Sequence, residues 1–230
     1  MGGTEVNTRG LVIPHRSFGS VTSDDLFAEK EQAIFSFYER SKDRYKKAVD
    51  IGANIGVHTM LMVRNGWEVR SFEPDKYHFA AMVENCAKND LLPLQFNQQA
   101  VSNFKGEAEF VRVLGNTTGS HLKGLKQPYG ALETVSVPVV YAGPLLWWAD
   151  FAKVDAEGAE ADIIRCLEPW MKCDLMVEVG SEANAKAIFS HLKDMGMKSF
   201  AQKNEWREVS TVEDVPKHHS EGALFIGEWI

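Results

Sequence analysis

The chain has 230 residues, of which 44% are hydrophobic, 25% charged and 10% aromatic, and its formal net charge at pH 7 is -7. This composition is typical of a soluble globular protein and excludes the disordered and fibrous classes. The negative charge disfavours nonspecific attraction to nucleic acid, which is therefore not the expected partner.

The cysteines and the hydropathy pattern bear on location. Cys86, Cys166 and Cys173 have neither the spacing of zinc ligands nor the density of a secreted disulfide scaffold, which predicts a reducing, cytoplasmic location. Residues 1–30 lack a basic segment followed by an apolar run, and no stretch approaches the roughly eighteen apolar residues of a membrane span. We therefore expect neither a targeting segment nor a membrane partner.

The first periodic segment precedes the first predicted strand of the core. Residues 1–22 are rich in Gly, Thr, Ser and Asn and are expected to form a covering arm. From Ser23 to about Lys47 apolar side chains recur at helical spacing, with Asp24 and Asp25 near the expected N-terminus. This pattern predicts an amphipathic helix.

A short apolar strand then runs into a glycine turn, Asp50 to Gly56, which reads DIGANIG. Gly52 and Gly56 permit backbone angles that a side chain forbids, so we expect a tight turn whose main chain a ligand approaches closely. A helix beginning near Val57 would turn its free N–H groups toward that ligand. Asp50 would repel a pyrophosphate but attract a cationic amino group, which favours S-adenosylmethionine over a dinucleotide. The candidate cofactor-binding residues of this segment are Asp50, Gly52, Ala53, Asn54, Gly56, His58 and Thr59.

The second strand, residues 67–72, ends in Glu73-Pro74-Asp75, and these three residues are also candidates for cofactor binding. Glu73 lies about twenty residues beyond the glycine turn, where nucleoside-binding doubly wound folds place an acid that accepts hydrogen bonds from ribose hydroxyls. Pro74 restricts Glu73 to extended geometry, so the carboxylate should lie at the carboxyl edge of the sheet.

A third strand begins at Leu94 to Phe96, and Gln99 lies near its end. The Gln99 side chain can accept a hydrogen bond from an exocyclic amine while the backbone N–H of Ala100 donates to a ring nitrogen, which would recognise adenine. A glutamine at a strand end is also a common turn residue, so both interpretations stay open.

Residues 103–150 interrupt the alternation of strands and helices. Residues 107–114 and 134–140 alternate like strands and predict a hairpin-like insertion. The polar, glycine-containing loop at 115–121 either closes over a substrate or is a plain connection.

The segment KVDAEGAE, Lys153 to Glu160, again places acids at the end of a strand. Carboxylates near the start of the following helix are stabilised by its dipole, which accounts for one acid. Asp155, Glu157 and Glu160 together exceed that need and favour a functional role beside a ligand crevice. Glu178, near the end of the next strand, is a further candidate.

Strand candidates at residues 197–201, 206–209 and 223–229 suggest a terminal antiparallel pair. The loop before the last of them contains His218 and His219. Paired histidines can bind metal or act as a base, but adjacent side chains point in different directions, so we expect a solvated loop.

With these motifs in place, the chain resembles the FkbM family of S-adenosylmethionine-dependent methyltransferases. The resemblance rests on the DIGANIG turn, on Glu73-Pro74-Asp75, on Ala100-Val101-Ser102 and on the KVDAEGAE segment, and it spans roughly residues 48–180. It implies an α/β, Rossmann-like class I methyltransferase fold, with a mostly parallel seven-stranded sheet, a terminal antiparallel hairpin and helices on both faces. It also implies O-methylation of a hydroxyl on a sugar, glycoside or other small metabolite, and hence a small hydroxylated partner.

No repeat or linker divides the chain, so we predict one methyltransferase domain over residues 1–230. The arm and first helix would occupy residues 1–47, and the cofactor-binding core would occupy residues 48–180 with its insertion at about 103–150. The C-terminal helix and antiparallel strands would occupy residues 181–230.

The expected chemistry is attack of the acceptor oxygen on the sulfonium methyl, which requires positioning and one proton acceptor. Asp155 is the first candidate for orienting or deprotonating the hydroxyl and is also a candidate for cofactor binding, with Glu157, Glu160 and Glu178 as lesser catalytic candidates. Magnesium bound by Asp155, Glu157 and Glu178 is a minor alternative, and we assign no metal-binding residue.

Other interpretations stay open. The alternatives are a methyltransferase acting on nucleic acid or protein, an NAD(P)-dependent oxidoreductase, and a noncatalytic nucleoside-binding module. Asn54 stands where the dinucleotide fingerprint has its second glycine, and an oxidoreductase would leave the KVDAEGAE segment unexplained. The sequence does not determine the oligomeric state or the pathway.

Overall fold

The computed structural model describes residues 5–92 and 94–228. The helices are α1 (Glu29–Arg40), α2 (Val57–Arg64), α3 (Lys76–Lys88), α4 (Gly143–Trp148), α5 (Glu160–Ile164) and α6 (Glu182–Met195). The strands are β1 (Glu5–Thr8), β2 (Leu11–Pro14), β3 (Lys47–Ile51), β4 (Glu68–Phe72), β5 (Gln95–Asn97), β6 (Ala100–Ser102), β7 (Gly106–Val113), β8 (His121–Leu122), β9 (Leu132–Tyr141), β10 (Phe151–Val154), β11 (Asp174–Glu178), β12 (Ser199–Ala201), β13 (Arg207–Glu208) and β14 (Ala223–Ile226). No helix among these residues is long and apolar enough to cross a bilayer.

The main sheet has the order β13-β12-β14-β11-β10-β3-β4-β5. Its neighbours from β11 to β5 are parallel, whereas β14, β12 and β13 add antiparallel pairs at one edge. The main sheet thus has eight strands, one more than the seven that were predicted. Glu205 and Trp206 adopt positive φ angles of 55° and 59°, which turn the chain so that β13 pairs with β12.

The order of the strands reverses between β3 and β10. From β3 the chain proceeds to β4 and β5 on one side, and from β10 it proceeds to β11 on the other. In open α/β sheets, ligands bind outside the carboxyl ends of the strands at such a switch point. The loops that follow β3, β4 and β10 lie at this point.

The predicted insertion is confirmed as an antiparallel pair. β7 and β9 pair from Gly106 with Val139 to Val113 with Leu132, and they form a second sheet of order β6-β9-β7-β8. Because β6 directly follows the region of β5, the second sheet is anchored next to the edge of the first.

The N-terminal prediction is corrected in its extent. The predicted helix from Ser23 to Lys47 is interrupted, because α1 covers only Glu29–Arg40 and the chain leaves helical geometry at Ser41. The covering arm contains the β1–β2 hairpin, and the side chain of Asn89 bonds both to the backbone N–H of Val12, at 2.9 Å, and to its carbonyl, at 2.8 Å. Residues 1–4 of the predicted arm and residue 229 of the predicted last strand lie outside the described residues.

The apolar side chains form a core on each face of the main sheet. On one face Val49, Ile51 and Val154 pack with residues of α4, α5 and α6. On the other face an aromatic cluster packs against α1 and α2, and it includes Phe35, Phe37, Tyr38, Tyr45, Trp67, Phe151 and Phe225. Helices therefore cover both faces of the main sheet, as predicted. This packing holds the strands, and with them the loops at the switch point, in place.

A buried ion pair joins the second sheet to the start of α3. Asp75 caps α3 by accepting from the N–H of Tyr77 at 2.8 Å, and it also accepts from Arg112 Nε of β7 at 2.5 Å. Arg112 pairs as well with Glu133 and lies 4.5 Å from the centroid of the Tyr77 ring. These contacts hold the second sheet over the carboxyl edge of the main sheet.

We expect Arg112→Ala to lower the free energy of unfolding by about 3–5 kcal/mol, because Asp75 is then buried without its cationic partner. Urea unfolding followed by circular dichroism measures this. Lys123→Ala is the matched control on the same sheet, because the Lys123–Glu109 pair is more than half exposed on both sides and should contribute little. Equal losses in the two variants would contradict the role of the buried pair.

Candidate active site

Two adjoining cavities lie at the switch point. The smaller one includes in its walls the predicted site residues Gly52, Asn54, Glu73, Pro74, Gln99, Ala100, Asp155 and Glu157. The larger one, of about 390 Å³, includes Ala53, Asn54, His58, Asp155, Glu157 and Glu178. Asn54, Thr118, Asp155 and Glu157 line both cavities, so the two form one continuous site.

The glycine turn contacts the loop that follows β10. Gly52 has a φ of +75°, and a Cβ built on it would lie 1.8 Å from the carbonyl oxygen of Asp155. The N–H of Asp155 in turn donates to the carbonyl of Ile51 at 3.0 Å. Gly52 lines the smaller cavity with its main chain, while the space that a side chain would need is filled by protein. Glycine is required there so that the two loops can pack together.

Gly56 has a φ of +87° and lies directly before α2. A Cβ at Gly56 would lie 2.7 Å from Met82 Cγ of α3. The second glycine of the motif therefore permits α2 and α3 to pack closely, and it does not line either cavity.

Asp50 and Thr59 lie behind the turn. Both are fully buried, and Asp50 Oδ2 accepts a hydrogen bond from Thr59 Oγ1 at 2.6 Å. Thr59 also bonds to Ser71 at 2.8 Å. The structure does not bring Asp50 or Thr59 to either cavity, because the Asp50 side chain points from β3 toward α2.

Glu73 is held by two backbone groups at the wall of the smaller cavity. Its Oε2 accepts from the N–H of Asn54 and its Oε1 from the N–H of Asp75, both at 2.8 Å. Burial raises the pKa of Glu73 to about 8, although these two hydrogen bonds favour the charged form. The Glu73 side chain is thus fixed in position, and its pKa lies close to neutral pH.

The rest of the smaller cavity combines an apolar slot with polar edges. Ile51 and Phe72 come from the main sheet, and Val101, Phe110 and Leu122 come from the second sheet. Gln99, Ala100 and Pro74 also line this cavity. An aromatic, nitrogen-containing ring suits a slot with this lining.

Two ion pairs form the acidic part of the site. Lys153 Nζ lies 3.0 Å from Asp155, and Lys126 of the insertion pairs with Glu157. Burial disfavours the charge of Lys153, but the carboxylates of Asp155 and Asp50 outweigh this and raise its pKa. Burial and the nearby Asp155 raise the pKa of Glu157 to about 7. The same two causes raise the pKa of Glu178 well above its ordinary range.

Glu160 braces the loop that follows β10. Its carboxylate accepts from the N–H groups of Ala156, at 3.1 Å, and Gly158, at 2.8 Å, and from the side chain of Asn184. It lines neither cavity. Among the described residues, no three histidine, cysteine, aspartate or glutamate side chains are grouped so as to hold a metal ion.

Histidines from three segments reach the larger cavity. His58 at the start of α2 lies 2.9 Å from the hydroxyl of Tyr38 and 3.1 Å from Glu31. His219 also lines the cavity, and its ring centroid is 3.8 Å from that of His218. His218 and His219 were expected on a solvated loop, and of the two His219 lines the cavity. His121 of β8 is the third histidine.

Sequence reasoning did not assign the contribution of the insertion. Thr117, Thr118 and Ser120 line the smaller cavity, and His121 and Lys126 line the larger one. The signal was the polar, glycine-containing loop at 115–121, for which closure over a substrate was one of two interpretations. Its distance of about 60 residues from the glycine turn in the chain gave no indication of which cavity it covers.

No protein-family model matches the chain, and no curated protein matches it in sequence. Among solved structures, an S-adenosylmethionine-dependent methyltransferase from Agrobacterium tumefaciens is similar with a TM-score of 0.51 and 10% sequence identity, over 84% of this chain and 58% of that one. The precorrin-6y C5,15-methyltransferase of Geobacter metallireducens has a TM-score of 0.47 and 12% identity, over 86% of this chain and 89% of that one. The tRNA (uracil-54, C5)-methyltransferase of Pyrococcus abyssi has a TM-score of 0.49 and 10% identity, over 98% of this chain and 44% of that one.

The chain therefore has the Rossmann-like class I methyltransferase fold. The Agrobacterium structure supports this assignment, and at 10% identity the similarity is one of fold. The chain spans 58% of the length of that protein.

We expect Gly52→Ala to destabilise the protein by at least about 2 kcal/mol more than Gly66→Ala. Both glycines have positive φ, so each substitution incurs about 1–2 kcal/mol of backbone strain. Only at Gly52 does the new methyl meet a fixed backbone carbonyl, because nothing lies within 4 Å of a Cβ at Gly66. Thermal unfolding of the two variants measures the difference, and equal midpoints would contradict the contact with Asp155.

Proposed function

We propose that this chain is an S-adenosylmethionine-dependent methyltransferase that binds its cofactor across the smaller cavity. The observation that carries the proposal is the buried Glu73 carboxylate beside the glycine turn, within the class I methyltransferase fold. Each Glu73 oxygen accepts one backbone N–H and keeps a further lone pair. The two oxygens are therefore suited to accept hydrogen bonds from the two hydroxyls of a ribose.

The remaining cofactor contacts follow from the walls of the site. Adenine would occupy the apolar slot, with Gln99 and the backbone N–H of Ala100 at its edge and Pro74 beside the ribose. Asn54 Oδ1 is buried and has no hydrogen-bond partner among the described residues, so it suits the cofactor's amino group. Asp50 and Thr59 would act indirectly, by holding α2 against β3.

When bound, S-adenosylmethionine supplies a methyl group on a positively charged sulfur; the methyl bonds to the acceptor oxygen as the carbon–sulfur bond breaks, and that electron pair stays on sulfur. We assign to Asp155, which lines both cavities, the orientation of the acceptor hydroxyl and the removal of its proton. Lys153 holds the Asp155 carboxylate in place. Glu157 and Glu178 are the lesser candidates, whereas Glu160 is engaged with the loop backbone.

The acceptor we propose is a hydroxyl on a sugar, glycoside or other small metabolite. The larger cavity has about 390 Å³, which is the size of a small-molecule site of about 300–1,000 Å³. The resemblance of the DIGANIG turn and the KVDAEGAE segment to the FkbM family supports O-methylation. The cytoplasmic location stays a prediction from cysteine usage.

Methyl transfer from labelled S-adenosylmethionine to a panel of glycosides, small hydroxylated metabolites, tRNA and peptides tests the proposal. We expect S-adenosylhomocysteine to bind with a Kd near the micromolar range and label to appear on a small hydroxylated acceptor. Label on tRNA or peptide alone would overturn the acceptor class. Binding of NADH without binding of S-adenosylmethionine would overturn the proposed activity.

Asp155→Asn is the companion variant in that experiment. It should retain binding of S-adenosylhomocysteine and lose about 10²–10⁴-fold in turnover, the usual contribution of a positioned proton acceptor. Near-normal turnover would show that another group takes the proton.

Cofactor affinity should rise with pH up to about 8. Burial raises the pKa of Glu73 to about 8, and ribose hydroxyls that donate to the carboxylate favour its ionised form. Binding below this pH therefore releases a proton, and affinity increases by at most about tenfold per pH unit. Titration calorimetry with S-adenosylhomocysteine, in two buffers of different ionisation enthalpy, measures the proton. Glu73→Gln should remove it, and a proton still released by this variant would have to come from another group.

A further inference from the structure

His121 lines the larger cavity and has an unpaired ring nitrogen. The side chain is 2% exposed, and its Nδ1 lies 3.0 Å from the carbonyl oxygen of Gly119. A carbonyl only accepts hydrogen bonds, so Nδ1 carries the proton of the neutral ring and Nε2 carries a lone pair. Nε2 is buried and has no hydrogen-bond partner among the described residues. Because buried polar atoms are nearly always paired, this nitrogen calls for a donor from a ligand.

Glu178 adds an unpaired carboxylate to the same cavity. It ends β11, and among the described residues its carboxylate forms no hydrogen bond and has no cationic group within 4 Å. The two lysines in the cavity wall are already engaged, Lys153 with Asp155 and Lys126 with Glu157. Glu178 therefore has no cationic partner of its own and is suited to receive one from a ligand.

The charge balance of the cavity wall points the same way. The wall contains the acids Asp25, Glu31, Asp155, Glu157 and Glu178 and the ammonium groups of Lys126 and Lys153. Even with Glu157 and Glu178 protonated, as their raised pKa values favour, carboxylates outnumber ammonium groups by three to two. A phosphate or carboxylate in this cavity would be repelled, whereas a cation would be attracted.

We propose that the larger cavity takes the acceptor as an amino alcohol of the amino sugar class, with its protonated amine at Glu178 and a hydroxyl donating to His121 Nε2. The proposal rests on the proposed function, since it identifies this cavity as the acceptor side of the cofactor site. It makes His121 and Glu178 specificity-determining residues, and it excludes phosphorylated acceptors.

The test titrates D-glucosamine, D-glucose and D-glucose 6-phosphate into the full chain saturated with S-adenosylhomocysteine, so that the cofactor's own amino group is already accommodated. Nitrogen-15 NMR of the histidine side chains reports binding at His121. We expect glucosamine to bind at least about tenfold more tightly than glucose and to shift the Nε2 resonance of His121, and glucose 6-phosphate not to bind. Equal affinity for glucosamine and glucose, tighter binding of the phosphate ester, or no binding of any probe at millimolar concentration would each overturn the proposal.

Variants separate recognition from general damage. Glu178→Gln should reduce the preference for glucosamine over glucose to about unity, and His121→Ala should weaken both sugars, while both variants still bind S-adenosylhomocysteine. His191→Gln is the matched control, because His191 also has a buried, unpartnered Nε2 but lies on α6 outside the cavity. An equal effect of His191→Gln would overturn the assignment to His121. Failure of the wild type to bind S-adenosylhomocysteine would overturn the proposed function itself, whereas a loaded protein that does not distinguish the amine overturns this proposal alone.

Discussion

The site depends on the contact between Gly52 and the carbonyl oxygen of Asp155. β3 and β10 are neighbouring parallel strands, and their loops leave the sheet at the same level. The loop after β3 is also held from its other side, because the N–H groups of Gly52 and Ala53 both donate to the carbonyl of Phe72 at 2.9 and 3.0 Å. A side chain at Gly52 would separate the two loops and with them the two parts of the cavity wall that contain Glu73 and Asp155.

The second sheet converts an open edge of the main sheet into enclosed cavities. The Asp75–Arg112 pair and the hydrogen bond between His78 and Thr117, at 2.9 Å, connect it to the first turn of α3. Asp75 directly follows the Glu73-Pro74 pair that faces the smaller cavity. The cavity wall that the second sheet contributes is therefore attached to the same short segment that contains Glu73, and a shift of one is transmitted to the other through covalent and buried ionic links.

Local signals in the sequence were sufficient for the elements and the loops of the core. The glycine turn, Glu73 and the acids after β10 lie at the carboxyl edge as predicted, because each follows directly from a short buried strand. Asp50 lies away from both cavities for a geometric reason: alternation along β3 turns its side chain toward α2, and the pattern does not say which face carries the ligand. The walls from the insertion depend on pairing between segments distant in the chain, which local patterns do not specify.

The position of β14 has a consequence for synthesis of the chain. β14 lies between β11 and β12 and is antiparallel to both, so these two strands cannot join until residues 223–226 have left the ribosome. Until then the outer edge of β11, with Leu175, Met176 and Val177, is an unpaired apolar strand edge. Such edges promote association between nascent chains, so aggregation risk is greatest in the period before residues 223–226 pair with β11.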